Sequence, residues 1–186
     1  MKLVRIFVPE NSEDGLWAIQ LSDQPESEFD RFFKSINDAE WLYRFFDQNR
    51  SDLHSGFFGY TSVEDAVLKT LEETGEMEDT LFDYSELGFR EGNTTLQNLF
   101  KPLNNFEYAI VSHQKSKARI GKGWLRLYAI RLAKNCYVVT GGAVKLTQDM
   151  KRPHLQYELK KLELAKQFLR DNGIDFPEDL NEHKDD

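Results

Sequence analysis

Arg126, Tyr128 and Lys145 are the residues of this chain whose types and spacing most invite chemistry. They lie in the stretch WLRLYAIRLAKNCYVVTGGAVKLTQ, from Trp124 to Gln148, which carries Arg and Lys but no acidic residue. Alternate side chains of a strand share a face, so Arg126, Tyr128 and Ile130 point one way and Leu125, Leu127 and Ala129 the other. A guanidinium offers a planar fork of donors suited to phosphate, and a lysine adds a point charge. A phosphate site formed by Arg126 and Lys145 on the wet face of a sheet is therefore expected. The plainer alternative is a solvated face on which Arg126 stacks on Tyr128. Gly141-Gly142 interrupts the second strand and suggests a bulge, which would re-aim Lys145, or a bend with no ligand. His113 and His154 flank the basic stretch and could give or take a proton near neutral pH.

The charge pattern supports an anionic partner. The net charge of -8 divides into -13 over residues 1–107, +9 over 108–157 and -4 over 158–186. A local basic block in an acidic chain points to an anion bound at that block, or to acidic and basic halves that pack on one another. Other chemistries are set aside. The single Cys136 and the four scattered histidines give no metal-ligand spacing. Gly121-x-Gly123 precedes a strand rather than a helix and reads as a turn, not a phosphate loop. No nucleophile elbow is present. No cofactor or metal is expected. The opening MKLVRIFVPE lacks the apolar run and cleavage site of a leader, and no stretch reaches the ~20 apolar residues of a membrane span. A cytoplasmic protein with no membrane association is expected.

These residues must be positioned by a framework that the pattern outlines. Leu3–Val8 and Gly15–Leu21 read as paired strands. Phe29, Phe32, Phe33 and Ile36, then Trp41, Leu42, Phe45 and Phe46, recur at helical spacing and give two short helices, the second starting at Asn37-Asp38. Thr61 and Glu64 form a capping box opening a third helix with an acidic surface, and residues 83–93 read as a loop. Thr94 or Thr95 caps a short helix ended by Pro102. Strands are expected at Phe106–Ser112, Trp124–Leu132 and Cys136–Leu146, with HQKSKARIGKG as a basic loop and Ala133-Lys134-Asn135 as a tight turn. A last helix starts near Pro153 and stops at Gly173. The tail from Ile174 reads as frayed.

From about Leu96 onward this order resembles the RelE/HigB group of bacterial toxins, the toxin halves of toxin–antitoxin pairs. Arg126 and Tyr128 match the Arg-containing strand motif of that group, and Lys145, Thr147 and Gln148 match the motif that follows it. Leu146 and Ala143 depart from it, where a second Lys and an aromatic are usual. The resemblance covers about two-fifths of the chain. It implies an α+β fold, an antiparallel sheet of three to five strands with helices on one side, as a RelE/ParE-like core over 96–173. The acidic, helix-rich stretch over 1–95, much longer than that group's helical hairpin, reads as an elaboration within the same domain, and 174–186 as a flexible acidic tail. The resemblance also implies an endoribonuclease that cuts messenger RNA, in that group usually on the ribosome, under control of an antitoxin protein, with messenger RNA or the ribosome as partner. Cleavage without a metal needs a base for the 2′-hydroxyl, cations for the phosphorane and an acid for the leaving oxygen. Arg126, Lys145, Tyr128 and His113 are the candidates for those roles. Lys115, Lys117, Arg119, Lys122 and Arg131 are the candidates for holding RNA phosphates. A binding module on the same fold, docking RNA or protein without cleaving, is the alternative. The charge split also admits an acidic half that shields the basic sheet. The oligomeric state is open.

Overall fold

The computed structural model describes residues 1–90, 94–104 and 111–183. A six-stranded mixed sheet with helices on both faces forms an α+β fold. The strands are β1 Lys2–Phe7, β2 Gly15–Gln20, β3 Phe100–Pro102, β4 Gln114–Ala118, β5 Leu125–Ala133 and β6 Cys136–Val144. Their spatial order is β1-β2-β6-β5-β4-β3, with β2 and β6 parallel and every other pair antiparallel. The expected antiparallel sheet of three to five strands with one covered face is thus corrected on three counts. Two strands that the pattern did not show, β3 and β4, bring the count to six, and the second strand of the expected N-terminal hairpin runs parallel to β6. Both faces are then roofed, because β2, β5 and β6 are apolar on both sides, as sheets covered on both faces require.

On one face, Leu16, Ala18, Leu125, Leu127, Ala129 and Val139 pack against the helices α1 Glu28–Ile36, α2 Ala39–Gln48 and α4 Val63–Arg90. On the other, Trp17, Ile19, Tyr128, Ile130 and Val138 pack against α6 Pro153–Asp171. Two further helices are short, α3 Arg50–Leu53 and α5 Leu96–Leu99. None of the helices among the described residues is long and apolar enough to cross a membrane.

The local causes can be named. Ser27 caps α1 by accepting from the Asp30 amide at 3.1 Å, and Asp38 caps α2 by accepting from Glu40 and Trp41. Ser62, one residue past the expected cap, accepts from the Asp65 amide and opens α4. α4 runs on through the stretch read as a loop, up to Arg90. Its inward side chains explain this: Thr74, Met77, Leu81 and Ser85 are buried at helical spacing and Tyr84 packs on the core, so packing carries the helix through polar residues. Over its described part, residues 174–183, the tail is likewise not frayed, since Ile174 and Leu180 are buried and Pro177–His183 form a 3-10 turn. The expected strand Phe106–Ser112 falls largely outside the described residues.

Gly142 shows how closely the layers meet. A Cβ there would stand 2.6 Å from the Phe32 ring of α1. Gly142→Val is expected to destabilise by about 1–3 kcal/mol through overpacking, read as a lower urea midpoint. An unchanged midpoint would mean that Phe32 moves aside freely.

Candidate functional site

The stretch read as a basic loop is strand β4, and its alternation sorts the charges. Gln114, Ser116 and Ala118 are buried towards the α4 side, while Lys115, Lys117 and Arg119 have the opposite parity. Arg126 and Tyr128 share that second face on β5. It is not the wet face expected, because Tyr128 packs against α6 at 1% exposure and Arg126 is only 8% exposed.

β6 reaches the same face through the bulge foreseen at its glycines. Tyr128 pairs with Gly141 but Ala129 with Val139, so Thr140 is the extra residue. One inserted residue switches the faces beyond it. Val138 packs with the α6-side core before the bulge, and Ala143 does so after it. Lys145, two residues further on, lines the same cavity as Arg126. Without the bulge its parity would have sent it to the other side of the sheet.

That cavity measures about 790 Å³ and opens where β3, β4 and β5 run out from under α6. Five cationic side chains line it: Lys101, Lys117, Arg119, Arg126 and Lys145. Among its described lining there is no carboxylate and no histidine. The guanidinium of Arg126 is fixed by Nη1, which donates to the carbonyls of Gly123 at 2.8 Å and Leu125 at 2.7 Å. Lys145 Nζ donates to the carbonyls of Thr147 and Gln148, and Lys117 Nζ to that of Leu103. Burial, reinforced by Arg119, pushes the Arg126 pKa down to about 10. Lys117 and Lys145 are also lowered, first by burial and then by the neighbouring Arg126. Such a cluster favours a multiply charged anion, which relieves the mutual repulsion. Burial moves the Tyr128 phenol the other way, upward, and its hydroxyl lies 3.6 Å from Met150 Sδ. At neutral pH Tyr128 is a proton-bearing group, not a base.

Other candidates lie elsewhere. His113 is buried in a left-handed conformation (φ 55°), with Nε2 2.7 Å from the Ile174 carbonyl and 3.7 Å from Asp175. It anchors the C-terminal segment and does not line the cavity. Arg131 has the wrong parity: on the α4 side of the sheet it donates to Gln97 and meets Tyr137. Lys115 forms an ion pair with Glu163 of α6 and lines an adjoining groove. Lys122 is exposed in the turn before β5 and outside the cavity lining. His154 approaches the Val144 carbonyl at 3.0 Å and sits edge-on to Phe45.

Three contributors carry no motif that sequence reading could have used. Lys101 follows buried Phe100 in β3, so alternation turns it outward once that strand is known. Phe57 comes from the loop before α4. Glu73 of α4 accepts from the Trp124 and Leu125 amides and stands against Gly123, where a side chain would collide with its carboxylate. Its pKa is raised by burial, while Lys69 and Arg126 pull it back. Among the described residues the acidic half thus places no carboxylate in the cavity lining. Among the described residues no cluster of side chains is arranged to hold a metal. No family model, curated protein or solved structure matches the chain.

Proposed function

We propose that this protein is a metal-independent endoribonuclease of the RelE/HigB toxin type, which seats messenger RNA phosphates in the Arg126 cavity and is restrained by a partner antitoxin. The observation that carries the reading is the convergence of five cationic side chains in one cavity whose described lining has no carboxylate. Neutral Lys145, favoured by its lowered pKa, takes the proton of a ribose 2′-hydroxyl. The 2′-oxygen then bonds to the adjacent phosphorus, with Arg126 holding the charge on the non-bridging oxygens. The bond from phosphorus to the 5′-oxygen breaks, and that oxygen takes a proton from the ammonium of Lys117. A 2′,3′-cyclic phosphate and a free 5′-hydroxyl remain. Tyr128 donates and positions without accepting a proton, and His113 has no part in the step.

A second reading keeps the RNA and drops the cleavage. It is favoured by the lack of a histidine or carboxylate in the described lining, the groups that most often move protons at neutral pH. End-labelled single-stranded RNA incubated with the protein and a chelator separates the two. Fragments ending in cyclic phosphate are expected, with a loss of about 10²–10⁴-fold in Lys145→Ala. Retained but uncut RNA would move the conclusion to the second reading, and RNA neither bound nor cut would contradict both.

A further inference from the structure

We propose that Phe57 stacks on a nucleobase of the bound strand, making the loop between α3 and α4 the base-contacting part of the site; this rests on the RNA reading above. Phe57 is half exposed, yet it lines the same cavity as Arg126 and Lys145. The ring is presented, not collapsed. Gly56 and Gly59 bracket the Phe57-Phe58 pair with φ of +85° and +82°, left-handed turns that carry the loop out and back.

Phe58 anchors the pair. Its ring stands edge-on to Phe57 at 4.8 Å and edge-on to Trp124 at 5.7 Å. Trp124 is fully buried, with its indole donating to Thr70 at 2.9 Å, and it lies two residues before Arg126. The exposed ring is thereby held in register with the guanidinium through the start of β5.

The cavity also has more room than one phosphate needs. Its volume falls in the range of roughly 300–1,000 Å³ that encloses small organic ligands. Leu99 and Met150 join Phe57 as apolar lining beside the five cations. A ligand matching both surfaces is anionic at one end and flat and apolar at the other, which describes a nucleotide of a single strand. Base–aromatic stacking suits such a strand because each base offers a π-face. On this inference the acidic elaboration over residues 1–95, which supplies no cation to the cavity, contributes the contact to the base.

The test measures binding by the full chain of a short oligonucleotide whose 2′-hydroxyls are replaced by hydrogen, of its abasic counterpart, and of inorganic polyphosphate. Phe57→Ala is expected to weaken the base-carrying strand by about 5- to 150-fold and to leave polyphosphate unchanged. Phe57→Trp is expected to restore the loss. Equal affinity of wild type and Phe57→Ala for the base-carrying strand would overturn the stacking role alone. So would a matching loss for polyphosphate. A wild-type protein that binds polyphosphate but neither strand would overturn the RNA reading and this inference with it.

Discussion

Arg126→Ala is expected to lower RNA cleavage by about 10²–10³-fold, the loss typical of removing one preorganised donor from a charged transition state. The position of the guanidinium is set before RNA arrives, since two backbone carbonyls fix Nη1 and α6 roofs the strand that bears it. Arg126→Lys is expected to recover little, because an ammonium cannot hold both carbonyls and present a fork to phosphate. Stability should move differently. A cation whose pKa falls to about 10 on folding is held at a cost to the native state. The sign follows: its folded pKa lies below the ordinary 12.5, so the charged form at neutral pH disfavours folding. Arg126→Met is therefore expected to fold as well as wild type, or better, while failing to cleave. Urea unfolding beside the cleavage assay checks this. An Arg126→Met chain that is both less stable and fully active would reverse the assignment.

The second large effect lies at a buried ion cluster that ties the acidic half to the last helix. Lys161 of α6 is 4% exposed and is paired with Glu28 of α1 and, at 2.9 Å, with Glu158. Lys161→Ala would leave two buried carboxylates without that cation and is expected to destabilise by about 3–5 kcal/mol. Gly141 makes the cluster possible, because a Cβ there would run into Glu158 and Lys161. Burial raises the Glu158 carboxyl to about 7, with Lys161 opposing the rise. A carboxyl raised on folding stabilises the native state below its ordinary 4.5, and that contribution is lost as pH rises through about 7. Wild-type stability is thus expected to fall between these values from this group, and Glu158→Gln to flatten that slope. In Lys161→Ala the opposing attraction is gone, so the decline should extend above pH 7. Unfolding midpoints at pH 5.5 and 8 read both effects. A Lys161→Ala deficit that is smaller at pH 8 than at pH 5.5 would contradict this view of the cluster.

Much of the framework was legible where packing and local pattern agree. The β1–β2 hairpin, the β5–β6 pair, Asp38 as a cap, Pro153 at the start of α6 and Gly173 at its end all followed from periodicity and turn chemistry. β4 was illegible because its inward residues are Gln114, Ser116 and Ala118, small or polar where an apolar alternation would announce a strand. α4 was cut short because residues 83–93 are polar and carry two glycines, whereas Ser85 is buried and Tyr84 packs on the core through tertiary contacts.

The site divides in the same way. Strand parity puts Arg126 and Tyr128 together, and the same parity separates Arg131 from them. Lys145 joins them only through the extra residue at Thr140, for which the paired glycines were the visible sign. Phe57 and Lys101 come from distant segments, and nothing in their local sequence marks them. The imidazole of His113 is the type of group that moves protons near neutral pH, but the fold sets it against the Ile174 carbonyl.

The most direct measurement is induced expression in bacteria of wild type beside an Arg126→Ala/Lys145→Ala variant, with growth followed and the ends of total messenger RNA mapped. Growth arrest with new internal 5′ ends in the wild type, and neither in the variant, is the result expected of a nuclease whose cavity is the Arg126 site. Normal growth with intact messages at equal soluble expression, or cleavage that persists in the variant, would contradict it.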